Sequence, residues 1–225
     1  MSVSRRIRSV GDRTARPPQA TMQAIPNPLL KEAVMSRIDL PCPAPAALLL
    51  IDVQESFRAR PYWDEAEARP FLAAVNRLVQ GCVERGIPVV RVLHSDGPDT
   101  PDNPFSASSG RVRPLEGLVA FDAALGFVKA RHSALVGTPL AVWLHQHGIR
   151  HLIVAGIRTE QCCETTTRHA SDEGWTVDYV TEATLTFDMT TPAGERLSAA
   201  QIRERTETVL AGRFATIRRV EEVLA

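Results

Sequence analysis

The sequence lacks most features of a metal-stapled, nucleotide-binding or membrane-spanning protein. Its four cysteines, Cys42, Cys82, Cys162 and Cys163, form no CxxC pair and no Cys/His cluster, which argues against a structural zinc site. Neither a Gly-x-Gly-x-x-Gly turn nor a P-loop occurs, which weighs against a nucleotide-binding use of the chain. There is no internal repeat. The longest apolar run, APAALLLI, is far too short to cross a bilayer and ends at Asp52. Charge of one sign is not in excess either: 26 Lys and Arg face 26 Asp and Glu, so no global field points to nucleic acid or to a membrane. The thiols are expected to be reduced, and the protein cytoplasmic.

What is present suits a globular enzyme. The 225 residues, 44% of them apolar, have room for one α/β domain of about 180–200 residues plus a tail, or for two very small domains. Residues 1–34 carry six basic residues against two acidic, a local net of +4, which leaves −4 from Met35 onward. That segment is rich in Arg, Ser and Pro and has no sustained apolar period. Residues 1–44 are therefore read as a basic, poorly ordered arm, or as chain preceding a true start at Met22 or Met35; a targeting peptide has a similar composition. Residues 45–225 are expected to form the domain.

From residue 46 short apolar runs alternate with helix-like stretches. ALLLIDV (47–53) reads as a buried strand, and residues 64–86 as a helix, with Phe71, Leu72, Val75, Leu78, Val79, Cys82 and Val83 recurring at three and four. Gly86 closes that helix, and Pro70 belongs near its first turn. IPVVRVL (87–93) is a second strand. The Pro-rich stretch 94–117 is a loop long enough to shape a site. A strand is expected at 126–130, a helix at 139–148, a strand at 151–157, a helix at 161–174 and a strand at 175–181. The tail should add a helix near 198–211, a strand at 214–218 and a last helical turn. Such alternation implies a three-layer α/β/α domain, doubly wound around a mostly parallel sheet of about six strands.

Ligands of such sheets bind beyond the carboxyl ends of the strands. Three reactive side chains fall there: Asp52, Lys129 and Cys162. Within GIRTEQCC, helical spacing puts Cys163 on a stripe with Thr167 and Ala170 suited to packing, and turns Cys162 about 100° away toward the strand ends. A helix N-terminus there would favour a thiolate at Cys162. The plainer alternative is that both are small buried residues. Asp52 and Lys129 could likewise be a structural ion pair.

Three segments resemble the isochorismatase-like cysteine hydrolases, in the family's order. LLLIDVQESF is similar to the family's first strand, VKARHSALVGTPL to its lysine segment, and GIRTEQCC to its nucleophile turn. The resemblance implies Asp52, Lys129 and Cys162 as catalytic aspartate, lysine and nucleophile, with Cys163 where relatives often carry valine. It implies a cis peptide at Ile157–Arg158 and an oxyanion hole made by the backbone N–H groups of Arg158 and Cys162. Gln54, Phe57 and His94 are candidate substrate contacts, and Arg158, standing where relatives often carry a small residue, is a hypothetical partner for a substrate carboxylate. The implied reaction is hydrolysis of an amide, carbamoyl or ureido C–N bond of a small molecule, through a thioester. No cofactor is expected, and a homo-oligomer is.

Departures from the family narrow this expectation. The loop after the second strand has only His94 and no Asp-x-His, so no metal site is expected and nicotinamide is an improbable substrate. His94, Asp96, Asp99 and Asp102 are expected to be loop polar groups or substrate contacts. His145 and His147 in HQHGIRH point to different helix faces and suit a helix end. Phe57, Trp63 and Phe105 could line an apolar pocket. The alternatives are a vinyl-ether hydrolase, which would not need the thiol, and a redox module using the adjacent cysteines.

Overall fold

The structure, a computed structural model, is described for residues 45–225. The arm expected at residues 1–44 lies outside the described residues. β1 (Ala46–Ile51) leads through a loop to α1 (Glu65–Glu84), β2 (Val89–His94) and β3 (Leu125–Lys129). α2 (Leu140–Gln146) and β4 (His151–Ile157) follow, then a π-helical turn (Thr159–Cys163) running into α3 (Glu164–Asp172). The chain continues through β5 (Thr176–Leu185), a small hairpin β6 (Met189–Thr190) and β7 (Arg196–Leu197), α4 (Ala199–Leu210), β8 (Thr216–Ile217) and α5 (Val220–Val223).

Six strands form one sheet in the order β3-β2-β1-β4-β5-β8, and every pairing is parallel. A parallel sheet is covered on both faces, which is why its central strands are continuously apolar. Along β1 the side chains alternate between two cores. Leu48 and Leu50 pack with Phe71, Val75 and Leu78 of α1, whereas Ala47, Leu49 and Ile51 pack with Leu140 and Leu144 of α2 and Ala170 of α3. Helices α1 and α5 thus cover one face, and α2, α3 and the end of α4 the other. Strand order reverses direction between β1 and β4, where doubly wound folds leave a crevice at the carboxyl edge.

Differences from the expected elements are local. Asp64 caps α1 by accepting the Ala66 N–H at 2.8 Å, but Pro70 lies deeper in the helix than its first turn and is exposed there. β5 runs four residues beyond its expected end. A register shift between Val154 and Gly156 lets Thr184 and Leu185 pair with Gly156 and Ile157. The β6–β7 hairpin was not expected, since two-residue strands have no period to detect. Among the described residues no helix is long and apolar enough to cross a membrane.

Candidate active site

The parallel strands end together, and the reactive residues follow from that. β1 delivers Asp52, β2 His94, β3 Lys129, and β4 the turn that carries Cys162. Asp52 is the one non-glycine residue described with a positive φ, 55°. An L-residue adopts that conformation at a cost, and such positions cluster at functional sites. Here it takes the Asp52 side chain out of the strand's alternation and under the strand ends.

Lys129 Nζ donates to Asp52 Oδ2 at 2.8 Å and to Cys162 Sγ at 3.3 Å, and it lies 3.2 Å from His94 Nδ1. Both side chains of the Asp52–Lys129 ion pair are wholly buried. An ammonium group has donors only, so His94 Nδ1 must be the acceptor and its proton sits on Nε2. Burial, and then the Lys129 charge, push the His94 pKa down to about 4, which keeps the ring neutral. Burial raises the Asp52 carboxyl above its ordinary range, and Lys129 pulls against that rise.

The surroundings of the thiol oppose the thiolate that its helix position would favour. Burial, and then the Asp52 carboxylate, push the Cys162 pKa up to about 12 despite Lys129. The partial charge of a helix end is too small to offset both. Cys163 is fully buried in the core with Ala170, beside a fully buried Thr167. Both cysteines are thus buried in one core, and of the two only Cys162 lines the cleft.

The turn that carries Cys162 is tied down from below. The Ile157–Arg158 bond is cis. The Arg158 carbonyl accepts the N–H groups of Gln161 and Cys163, each at 3.2 Å. Tyr179 Oη donates to the Thr159 carbonyl at 2.7 Å, and the Thr159 and Thr184 hydroxyls are 2.8 Å apart. The extra residues of β5 supply Thr184, so the extension of that strand serves the site.

A cleft of about 340 Å³ opens above Cys162. Phe57, Arg60 and Tyr62 line it from the β1–α1 loop; His94, Asp96, Gly97, Pro98, Asn103 and Phe105 from the long loop; and His132 and Gln161 beside the sulfur. Phe57 and Phe105 meet edge to face at 5.0 Å, making an aromatic wall, while Trp63 packs instead on Phe187.

Two expected substrate contacts are placed elsewhere. Gln54 Oε1 accepts the His94 N–H at 2.7 Å, and its amide NH₂ donates to the His94 carbonyl and to Ser56 Oγ. Its polar atoms are occupied, so it fastens the end of β2 and is not free for substrate. Arg158 Nε lies 3.0 Å from Glu160 Oε1, and its guanidinium stacks over Phe187 and over Tyr62, which lines the cleft, though Arg158 itself is not among the lining residues. Asp99 caps Ser108 within the loop, and Asp96 Oδ1 accepts the Gly97 N–H at 2.7 Å. His145 and His147 bond the carbonyls of Ala141 and Trp143 at the end of α2. Among the described residues no group of three or more His, Cys, Asp or Glu could hold a metal ion.

Several lining residues were not singled out from the sequence, Arg60, Tyr62, Gln161 and His132 among them. His132 stands within the quoted lysine segment, one residue before the buried Ser133, and its neighbours in sequence were the only signal available.

Residues 46–213 match the isochorismatase domain, and the chain belongs to that family of hydrolases. Nicotinamidase 3 of Arabidopsis thaliana is 29% identical over 155 residues, spanning 64% of this chain and 74% of its own. The ureidoacrylate amidohydrolase RutB of Klebsiella pneumoniae is 25% identical over 169 residues, spanning 61% of this chain and 70% of its own. A solved structure from Chromobacterium violaceum, described as a hydrolase of the isochorismatase family, is similar with a TM-score of 0.72 at 25% identity, covering 80% of this chain and 91% of its own.

Proposed function

We propose that this hydrolase cleaves a C–N bond of a small molecule, an amide, carbamoyl or ureido bond, through a thioester on Cys162. The observation that carries the reading is the placement of Lys129 Nζ against both Asp52 and Cys162 Sγ beneath an open cleft. The names of the relatives, a nicotinamidase and a ureidoacrylate amidohydrolase, are consistent with C–N chemistry.

The resting thiol is protonated, so attack needs a base. Asp52 is that base. Its Oδ2 is held by Lys129, whereas its buried Oδ1 has no hydrogen-bond partner and is free to take the proton. A carboxyl group raised by burial is also a better base than a surface one. As the sulfur attacks the substrate carbonyl, the proton passes to Asp52, and the ammonium of Lys129 steadies the charge in a dry site. The backbone N–H groups of Arg158 and Cys162 are assigned to the oxyanion. Collapse expels the amine or ammonia, which takes the proton from Asp52, and water then hydrolyses the thioester.

The test is a screen of amides, ureas and N-carbamoyl compounds for ammonia or amine release, with intact-mass analysis of the enzyme during turnover. An acyl adduct confined to Cys162 and loss of at least about 10³-fold in kcat for Cys162→Ala are expected. Full activity of Cys162→Ala on a vinyl ether, with no C–N substrate turned over, would show the ether chemistry instead.

A further inference from the structure

The proposed reaction leaves one group beside the sulfur without a role. His132 Nδ1 lies 3.7 Å from Cys162 Sγ, and its ring stands nearly parallel to that of His94, 6.4 Å away at 13°. The ring is exposed on the cleft wall, yet the backbone that carries it is anchored. Ser133 Oγ shares a 2.8 Å hydrogen bond with His169 Nδ1, and the Ala134 N–H donates to Thr166 Oγ1 at 3.0 Å. His169 and Thr166 belong to α3, the helix that continues the nucleophile turn. His132 and Cys162 are thus held by one element.

The two candidate bases see different solvents. Asp52 and Lys129 are buried and do not line the cleft; His132 and Cys162 do. The second half of the reaction consumes a water, and water reaches the sulfur through the cleft. The amine's departure has by then returned Asp52 to its ionised state, bonded to Lys129.

We propose, resting on the thioester reading above, that His132 is the catalytic base of deacylation. Water in the cleft attacks the thioester carbon, and His132 Nδ1 takes one of its protons as the new C–O bond forms. Collapse of the intermediate breaks the C–S bond and returns that electron pair to sulfur. The imidazolium then gives the same proton to Sγ. One water is consumed, the acid is released, and the thiol and neutral imidazole are restored. Burial divides the work: the dry carboxylate serves the thiol and the amine, and the wet imidazole serves the water.

The experiment compares the unsubstituted enzyme with His132→Gln and His132→Gly on a C–N substrate found by the screen. It reads the first-turnover burst of amine, the steady-state rate and the intact mass. Expected for His132→Gln is a burst rate within about twofold of the original. Steady-state turnover should fall by about 10²-fold or more, with the acyl adduct accumulating on Cys162. Added imidazole should restore turnover to His132→Gly. Steady-state rates close to the original in both variants would overturn the proposal, as would equal loss of burst and turnover with no adduct and no imidazole rescue. Failure of the thioester reading shows separately, as amide turnover retained by Cys162→Ala, and removes the proposal with it.

Discussion

Lys129 has three N–H donors, and the structure sets three partners around them: Asp52 Oδ2, His94 Nδ1 and Cys162 Sγ. No donor is left over for substrate, so the residue acts by its charge and by holding the other three in place. Removing one member of a buried ion pair typically costs about 3–5 kcal/mol, because the partner is left charged and dry. Lys129→Met should therefore lower the denaturation midpoint markedly. It should also move the acid limb of kcat/KM to higher pH. Burial already raises the Asp52 pKa and Lys129 opposes the rise; without Lys129 the carboxyl keeps its proton to higher pH, and the free base is present only above that point. A pH–rate profile of the variant checks the direction, and a limb that moves toward lower pH contradicts it.

At the scale of elements, the site depends on how closely β4 approaches β1. Gly156 pairs with Ile51, the residue before Asp52, and has φ of 138°. A Cβ there would sit 1.9 Å from the Ile51 carbonyl oxygen, far inside contact distance. Backbone cannot yield as a flexible side chain would, so Gly156→Ala must push the strands apart where Asp52 and the turn carrying Cys162 emerge. We expect a loss of about 3 kcal/mol or more in chemical denaturation, together with loss of hydrolysis. The same strand pair shows where reading the sequence stops. HLIVAGI is legible as a strand to the residue, because both its faces are buried and its apolar run is continuous. The added length of β5 was not, since a register shift at Val154/Gly156 is a property of two paired strands and not of either one.

Over the whole molecule, the distribution of cations bears on substrate choice. Arg58 pairs with Glu55, Glu65 and Glu116, and Arg158 with Glu160. Arg60 instead lines the cleft, stacked over Tyr62 at 5.6 Å. Arg60→Gln should raise KM about tenfold, or ~1.4 kcal/mol, for substrates bearing a carboxylate, and leave kcat little changed. Neutral substrates should be unaffected; an equal rise in KM for both would refute the assignment. Because Arg60 is exposed, the difference should shrink as salt is added.

The amino-acid sequence by itself determined the layered α/β class and the parallel order of buried strands. It also determined that Asp52, Lys129 and a cysteine of the doublet meet at one edge of the sheet. These follow from local apolar period and from the rule that parallel strands end on the same side. Tertiary structure alone decided which charges were already taken. Arg158 looked free in the sequence and is paired with Glu160; Gln54 looked available and is spent on His94. It alone set the Cys162 thiol high and brought His132 to the sulfur, because burial and through-space distance depend on residues far apart in the chain. The doublet shows both sides: spacing and the resemblance pointed to Cys162, and packing decided that it lines the cleft and that burial pushes its thiol up.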